Sequence, residues 1–250
     1  MLNQFFLSIL SCVLITSSLS ATILNKDGLL SCYAPHDASF ATVFLPYNPR
    51  IIVAGDCTFS IATAFASQLS QASIFCITPE ESDIENLKRY EEQFPNLHFK
   101  FACLHLNEGS ALYYGTRTKN SDYFKPGGSL IKPLDPYLMG KPFLTQTTSL
   151  STFCQSENIS KIDCLYLNTG GTELKILKET PALVQSAIIV YVKSYHRPLR
   201  ANLDNFKQLQ NLMSQYDFIL ASHYTYDNGA GDALFVKRRY FEAVFQRTKF

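Results

Sequence analysis

Short apolar runs alternate with segments of helical periodicity along most of this chain, and this alternation constrains the fold more than any other feature. The first run, residues 51–54, is β-branched and ends at Gly55, and residues 61–69 then place apolar side chains at helical spacing. The pattern repeats at residues 72–77 and 80–94. Strands separated by helices predict βαβ units, and right-handed crossovers put the helices on both faces of the sheet. The sequence therefore predicts a doubly wound, mostly parallel α/β domain.

The alternation continues through the rest of the chain with one gap. The gap is residues 116–146, which are rich in Pro, Gly and Tyr and show no clear period. This composition predicts a long loop that either covers a site or is mobile. The clearest strand, residues 162–167, leads into a turn and then into a helix that begins at Glu173. The other predicted elements are strands at 97–106, 111–115 and 187–192, a helix at 202–215, and a closing hairpin made by 218–221 and 233–236.

The first twenty residues form a separate unit. Residues 5–15 are almost wholly apolar and are followed by small residues that fit signal-peptidase cleavage after Ser20, while the run is too short to span a bilayer. A buried N-terminal helix is the alternative, because no Lys or Arg precedes the run. Lipid attachment at Cys12 is disfavoured because too little apolar sequence precedes it. The predicted organisation is a signal peptide at 1–20, a lead segment at 21–49 and one domain at 50–250, exported to the periplasm or secreted, with no integral membrane span after cleavage.

Charge and cysteine usage exclude several classes of function. Lys and Arg number 22 against 21 Asp and Glu, so no basic excess indicates nucleic acid or an anionic membrane as the main partner. Seven cysteines are present, but none forms a Cys-x-x-Cys pair, which argues against a zinc ribbon or a thioredoxin-like motif. The sequence leaves open whether the cysteines are buried thiols or disulfides. The five histidines are scattered without a His-x-x-x-His pair, and no metal site is predicted.

Residues 160–178 carry the most informative motif. They read Ile162-Asp163, an apolar strand, Asn168-Thr169-Gly170-Gly171-Thr172-Glu173 and then Leu-x-x-Leu-Lys. This segment resembles the FkbM type of S-adenosylmethionine-dependent methyltransferase, which has Ile-Asp, an apolar strand, Asp-x-x-Gly-x-Glu and Leu-x-x-Leu-Lys. Residues 147–153 and 231–236 resemble two further family segments, so the resemblance covers about residues 50–238. It implies a Rossmann-like class I methyltransferase sheet and S-adenosylmethionine as the cofactor of an active member.

The first strand departs from the family pattern. Family members have an acidic residue followed by x-Gly-x-x-x-Gly, and the matching positions here are Val53, Gly55 and Phe59. The second family glycine lets the backbone approach the cofactor, and Phe59 would place a benzyl group in that space. A match displaced by one residue would instead make Asp56 the acid.

The later strand ends depart as well. The family Glu that binds the ribose hydroxyls is matched by Thr78, and loss of a hydrogen bond to a carboxylate weakens binding by about ten- to a hundredfold. The strand-end Asp of the family is matched by Asn168, and a later Glu is matched by Lys193. Asn168 and Glu173 are weak catalytic candidates, because the segment can equally be a tight turn and Glu173 can simply favour its helix N-terminus. The cofactor-binding positions implied by the resemblance are Val53, Gly55, Asp56, Phe59, Thr78 and Asn168.

Two functions remain open at this point. Replacement at four ligand-facing strand ends indicates an exported pseudo-methyltransferase that serves as a binding module for a small molecule or a protein and needs no cofactor. The alternative is an active O-methyltransferase on an unknown hydroxyl acceptor. Asn168 is a poor base, so the enzyme would need another proton acceptor, for which Asp56, Glu173 and His196 are candidates.

Overall fold

The computed structural model describes residues 41, 43–55, 59–79, 84–118, 121–134, 142–196, 200, 203, 205–226 and 229–246. The predicted signal peptide, most of the lead segment and Asp56 lie outside the described residues. Two residues of the lead segment, Ala41 and Phe44, are buried and pack into the core. None of the described helices is long and apolar enough to cross a membrane.

The described strands form two sheets. They are β1 (Arg50–Gly55), β2 (Ser73–Thr78), β3 (Leu97–Phe101), β4 (Cys103–Leu104), β5 (Gly109–Thr118), β6 (Ser121–Ser129), β7 (Phe143–Thr148), β8 (Cys164–Asn168), β9 (Ile189–Tyr195), β10 (Phe218–Thr225) and β11 (Ala230–Lys237). The main sheet has seven strands in the order β10-β11-β9-β8-β1-β2-β3. Its neighbouring strands are parallel except β11, which runs antiparallel to both β9 and β10. The predicted doubly wound, mostly parallel α/β fold with a closing hairpin is confirmed.

Helices cover both faces of the main sheet. They are α1 (Phe59–Gln68), α2 (Ile84–Gln93), α3 (Leu150–Ser156), α4 (Glu173–Glu179), α5 (Pro181–Ser186), α6 (Phe206–Gln215) and α7 (Arg238–Gln246). Ile52 and Leu165 pack with α3, α4 and α6, whereas Ile51 and Cys164, on the opposite face, pack with α1 and α7. Because both faces are buried, the strands are continuous apolar runs, and this is why the sequence made them recognisable.

The region predicted as a long loop contains regular structure, so that prediction was wrong. Residues 116–146 include the end of β5, all of β6 and the start of β7, which form a second sheet in the order β4-β7-β5-β6. The pairs β5–β6 and β5–β7 are antiparallel. Such strands need no continuous apolar run, and β5–β6 contains register shifts that break the alternation.

Two other boundaries differ from the sequence prediction. The third strand, predicted as residues 97–106, ends at Phe101, and β4 begins at Cys103 in the second sheet. An apolar pattern cannot reveal that a chain changes sheets. The second strand of the closing hairpin, predicted at 233–236, begins earlier, at Ala230.

Candidate functional site

The main sheet has a topological switch point between β1 and β8, because the chain continues in opposite directions from these two neighbours. Ligands of doubly wound proteins bind outside the carboxyl ends of the strands at this point. Gly55 and Asn168 are register partners there. Gly55 has φ +122°, and a Cβ atom on it would lie 1.9 Å from the carbonyl oxygen of Asn168. Only glycine allows the two backbones to come this close.

The buried carboxyl of Glu173 holds the loop that follows β8. It accepts hydrogen bonds from the backbone amides of Thr169 and Gly171, both at 2.8 Å. The Thr172 hydroxyl donates to Thr169 Oγ1 at 2.8 Å and closes the same turn. Burial raises the pKa of Glu173 to about 7 despite these donors, because desolvation of the charged form outweighs the hydrogen bonds that favour it. The structure therefore shows Glu173 fixing the backbone of the loop.

Residues 128–131, at the end of β6, lie directly on this loop, and we call them the cover segment. Ser129 is fully buried, and its hydroxyl donates to the carbonyl of Gly170 at 2.8 Å while it accepts from the amide of Ile131 at 2.9 Å. Gly170 has φ +72°, and a Cβ atom on it would lie 2.6 Å from Gly128 O. The chain itself therefore covers the carboxyl end of β8.

A second contact completes this cover. A Cβ atom on Gly171 would lie 2.1 Å from Leu203 Cδ2 and 3.2 Å from Ile131 Cδ1. The guanidinium of Arg200 donates to the carbonyl of Ile131 at 2.8 Å, and this bond holds the last residue of the cover segment. The space beside Gly171 is thus filled by side chains of the chain itself.

The motif residues of the first two strand ends lie in different environments. Val53 is fully buried within β1, two residues before its end, and packs with α1. Thr78 is the last residue of β2 and is only 5% exposed, and Asn168 is the last residue of β8. Phe59 begins α1. The structure thus brings Gly55, Thr78 and Asn168 to one edge of the sheet, with Val53 below that edge in the core.

The Ile-Asp part of the motif has a structural role. Asp163 is buried just before β8, and its Oδ2 accepts from the backbone amide of Arg50 at 3.0 Å, at the start of β1. Lys161 forms an ion pair with its other oxygen at 2.7 Å. Asp163 therefore aligns the starts of β1 and β8, far from the carboxyl edge.

A cleft opens at the same edge of the sheet, between α4, the end of β9 and the start of α6. Lys193, which was matched to a family Glu, forms an ion pair with Asp232 at 3.2 Å and lies over the ring of Tyr226 at 4.5 Å. The Tyr226 hydroxyl donates to Asp232. The cleft is lined by Gly171, Glu173, Leu174, Lys193, Ser194, Tyr195, Asn205, Phe206 and Leu209.

Two histidines that look unrelated in the sequence meet beside this cleft. The Nε2 atoms of His196 and His223 lie 3.0 Å apart. The His223 Nε2 is also 3.4 Å from the Ser194 hydroxyl. The Phe206 ring stacks flat on His223, with centroids 4.1 Å apart and planes at 9°. Burial and the neighbouring His196 lower the pKa of His223 to about 4. Sequence reasoning missed this pair because 27 residues separate its members, and only the β9–β11–β10 topology brings them together.

The buried carboxyl of Glu173 should make stability depend on pH. Its folded pKa of about 7 is above the ordinary value of 4.5, so between these values the folded state binds the proton more tightly. The free energy of unfolding should therefore fall by about 3 kcal/mol as pH rises from 4.5 to above 7. In Glu173→Gln, urea unfolding across this range should lose that slope, whereas Glu179→Gln, an exposed change at the end of the same helix, should keep it. An equal slope in all three proteins would contradict this assignment.

Comparisons with known proteins find only distant similarity to solved structures. No protein-family model matches the sequence, and no curated protein matches it. Similar solved structures include the Methanococcus jannaschii fibrillarin pre-rRNA processing protein, with TM-score 0.45 and 9% identity over 77% of this chain and 67% of that chain. They also include M. capricolum TrmK in complex with S-adenosyl-homocysteine, with TM-score 0.42 and 10% identity over 80% and 68% of the two chains. The N-terminal domain of EvdMO1 with SAH bound has TM-score 0.46 and 10% identity over 83% and 82%. The assignment of the fold therefore rests on the strand order of this chain itself.

Proposed function

We propose that this chain is an exported, FkbM-like pseudo-methyltransferase that acts as a binding module. The proposal rests chiefly on the cover segment, whose Ser129 and Ile131 occupy the space over Gly170 and Gly171 at the carboxyl end of β8. In a doubly wound fold this end belongs to the switch point where a nucleotide-like cofactor would lie. A chain that fills this space with its own side chains has used the fold for another purpose.

The residue types at the strand ends support the same proposal. Val53 supplies no charge and is part of the core. Thr78 is buried and offers a hydroxyl where the family has a carboxylate, and Asn168 replaces an Asp. Each lost charge-assisted hydrogen bond costs about 1.5–3 kcal/mol of binding free energy. Together these changes would leave S-adenosylmethionine with too few favourable contacts.

The cleft beside β9 is the proposed binding site of the module. Leu174, Leu209 and Phe206 provide apolar and aromatic surface, while Lys193 and Ser194 provide polar groups. The cleft has an empty volume of about 270 Å³ that includes open solvent, which suits one end of a small molecule or a single side chain of a partner protein.

Calorimetric titration of the mature protein with S-adenosylmethionine tests the proposal. We expect no detectable heat of binding, with a circular dichroism spectrum that confirms the α/β fold. Micromolar binding would contradict the pseudo-methyltransferase proposal and favour an enzyme.

One observation favours the alternative, an active O-methyltransferase. His196 and His223 lie at the carboxyl edge beside the cleft, where a neutral imidazole could accept the proton of a hydroxyl acceptor. In this case labelled methyl groups should pass from S-adenosylmethionine to a hydroxyl compound, and His196→Ala should abolish transfer without lowering cofactor affinity.

A further inference from the structure

The two-histidine cluster, formed by His196 and His223 with Ser194 and Phe206, is built by the fold from three separate segments. His196 follows β9 and is held by its backbone amide, which donates to the carbonyl of Gly229 at 2.8 Å. His223 lies on β10, on the other side of β11. Between them lies Gly231 of β11, where a Cβ atom would stand 2.9 Å from the Ser194 hydroxyl. The missing side chain of Gly231 lets Ser194 and His223 approach across the middle strand.

Aromatic packing fixes the ring planes of the cluster. Phe206 stacks on His223 and also contacts His196, with centroids 4.9 Å apart. With the rings so held, the two Nε2 atoms lie 3.0 Å apart and the ring centroids 4.8 Å apart. At this distance only one of them can carry the intervening proton, so at least one lone pair is directed into the gap. The cluster therefore holds two imidazole nitrogens close enough to share one bound ion.

We propose that His196 and His223 bind a divalent transition metal through their Nε2 atoms. Bonds of about 2.0–2.1 Å from both nitrogens, with the nitrogens kept at 3.0 Å, give an angle at the metal of about 95°. This is close to the angle between adjacent ligands in the tetragonal sites of Cu(II) and Ni(II), and it is narrower than the tetrahedral angle of zinc. Cu(II) and Ni(II) are therefore the metal ions expected to bind most tightly at this site.

The surroundings of the proposed metal leave coordination positions for water or a bound molecule. In the described part of the chain no third His, Cys, Asp or Glu completes a three-residue metal group. The Ser194 hydroxyl is 3.4 Å from His223 Nε2, and both Ser194 and Phe206 line the cleft beside β9. A metal held by two histidines would stand at the rim of this cleft, with its remaining positions open.

Metal titration of the untagged full-length chain tests the proposal. We expect one equivalent of Ni(II) to bind, and the electron paramagnetic resonance spectrum of bound Cu(II) to show coupling to two imidazole nitrogens. His196→Gln and His223→Gln should each lose about tenfold or more in affinity. His98→Gln serves as the matched control, because His98 is an exposed histidine of β3, at the opposite edge of the sheet.

Two outcomes would overturn this proposal. One is a folded wild-type protein that binds no Ni(II) or Cu(II). The other is binding that remains equally tight in His196→Gln, an exposed substitution expected to leave the fold intact as judged by thermal unfolding. The result is independent of the titration with S-adenosylmethionine, so the metal site and the pseudo-methyltransferase proposal can fail separately.

Discussion

The Gly55→Ala variant is expected to lose about 3–5 kcal/mol of unfolding free energy, or to fail to fold. The φ of +122° is strained for any residue with a side chain, and the added Cβ would lie 1.9 Å from the Asn168 carbonyl oxygen and 3.0 Å from the amide nitrogen of Thr169. Both contacts are with backbone, so no side-chain rotation relieves them. Urea unfolding followed by circular dichroism measures the loss.

Gly109→Ala is the matched control for this effect. Gly109 has φ +137°, but no atom lies within 4 Å of the position its Cβ would take. This variant therefore isolates backbone strain, which should cost about 1–3 kcal/mol. Equal losses in the two variants would mean that the contact between β1 and β8 at the switch point is not as close as described.

The double variant Phe59→Gly, Thr78→Glu is expected to gain affinity for S-adenosylmethionine by roughly 30- to 1,000-fold. The glycine would remove a benzyl group from the turn that opens α1, and the carboxylate would offer the ribose two charge-assisted hydrogen bonds. The described contacts of the cover segment are with Gly170 and Gly171 of the β8 loop, so the two substitutions change a different part of the switch point, at the start of α1 and the end of β2. Calorimetric titration of the wild type, both single variants and the double variant measures the gain.

Thr78→Gln is the control that matches the size of glutamate without its charge. Its gain in affinity for S-adenosylmethionine should be far smaller than that of Thr78→Glu. Thermal unfolding must accompany each titration, because Phe59→Gly places glycine at a helix start and removes an apolar ring. Tight binding by the wild type that neither Phe59 nor Thr78 substitution changes would show that the first two strands are wrongly matched to the family. The enzyme would then be the better proposal.

The sequence predicted the main sheet well, because its strands are buried on both faces. Residues 72–77 and 162–167 are continuous apolar runs, and they correspond closely to β2 and β8. In the second sheet residues 111–115 were predicted as a strand and lie in β5. The rest of this sheet escaped prediction because its antiparallel strands leave side chains such as Leu112 and Leu144 exposed. Pairing of this kind is decided by contacts between distant segments, which local periodicity does not contain.

The site could be predicted only in part. The order of the strand ends placed Gly55, Thr78 and Asn168 at one edge, as the register of β1, β2 and β8 shows. The approach of Ser129 to Gly170 and of His196 to His223 joins segments 41 and 27 residues apart. No spacing rule connects such pairs, because loops and a middle strand determine their distance. Glu173 was recognised as favouring a helix start, but its hydrogen bonds to two loop amides required coordinates.

Amide hydrogen exchange at Thr169 and Gly171 tests the central claim most directly. These two amides donate to the buried Glu173 carboxyl, in a loop that the cover segment packs against. We expect both to exchange slowly in the protein alone, at rates approaching those of the core strands, and to be unchanged by millimolar S-adenosylmethionine. Rapid exchange in the protein alone, followed by strong slowing when S-adenosylmethionine is added, would show an open strand end that binds the cofactor and would contradict the account.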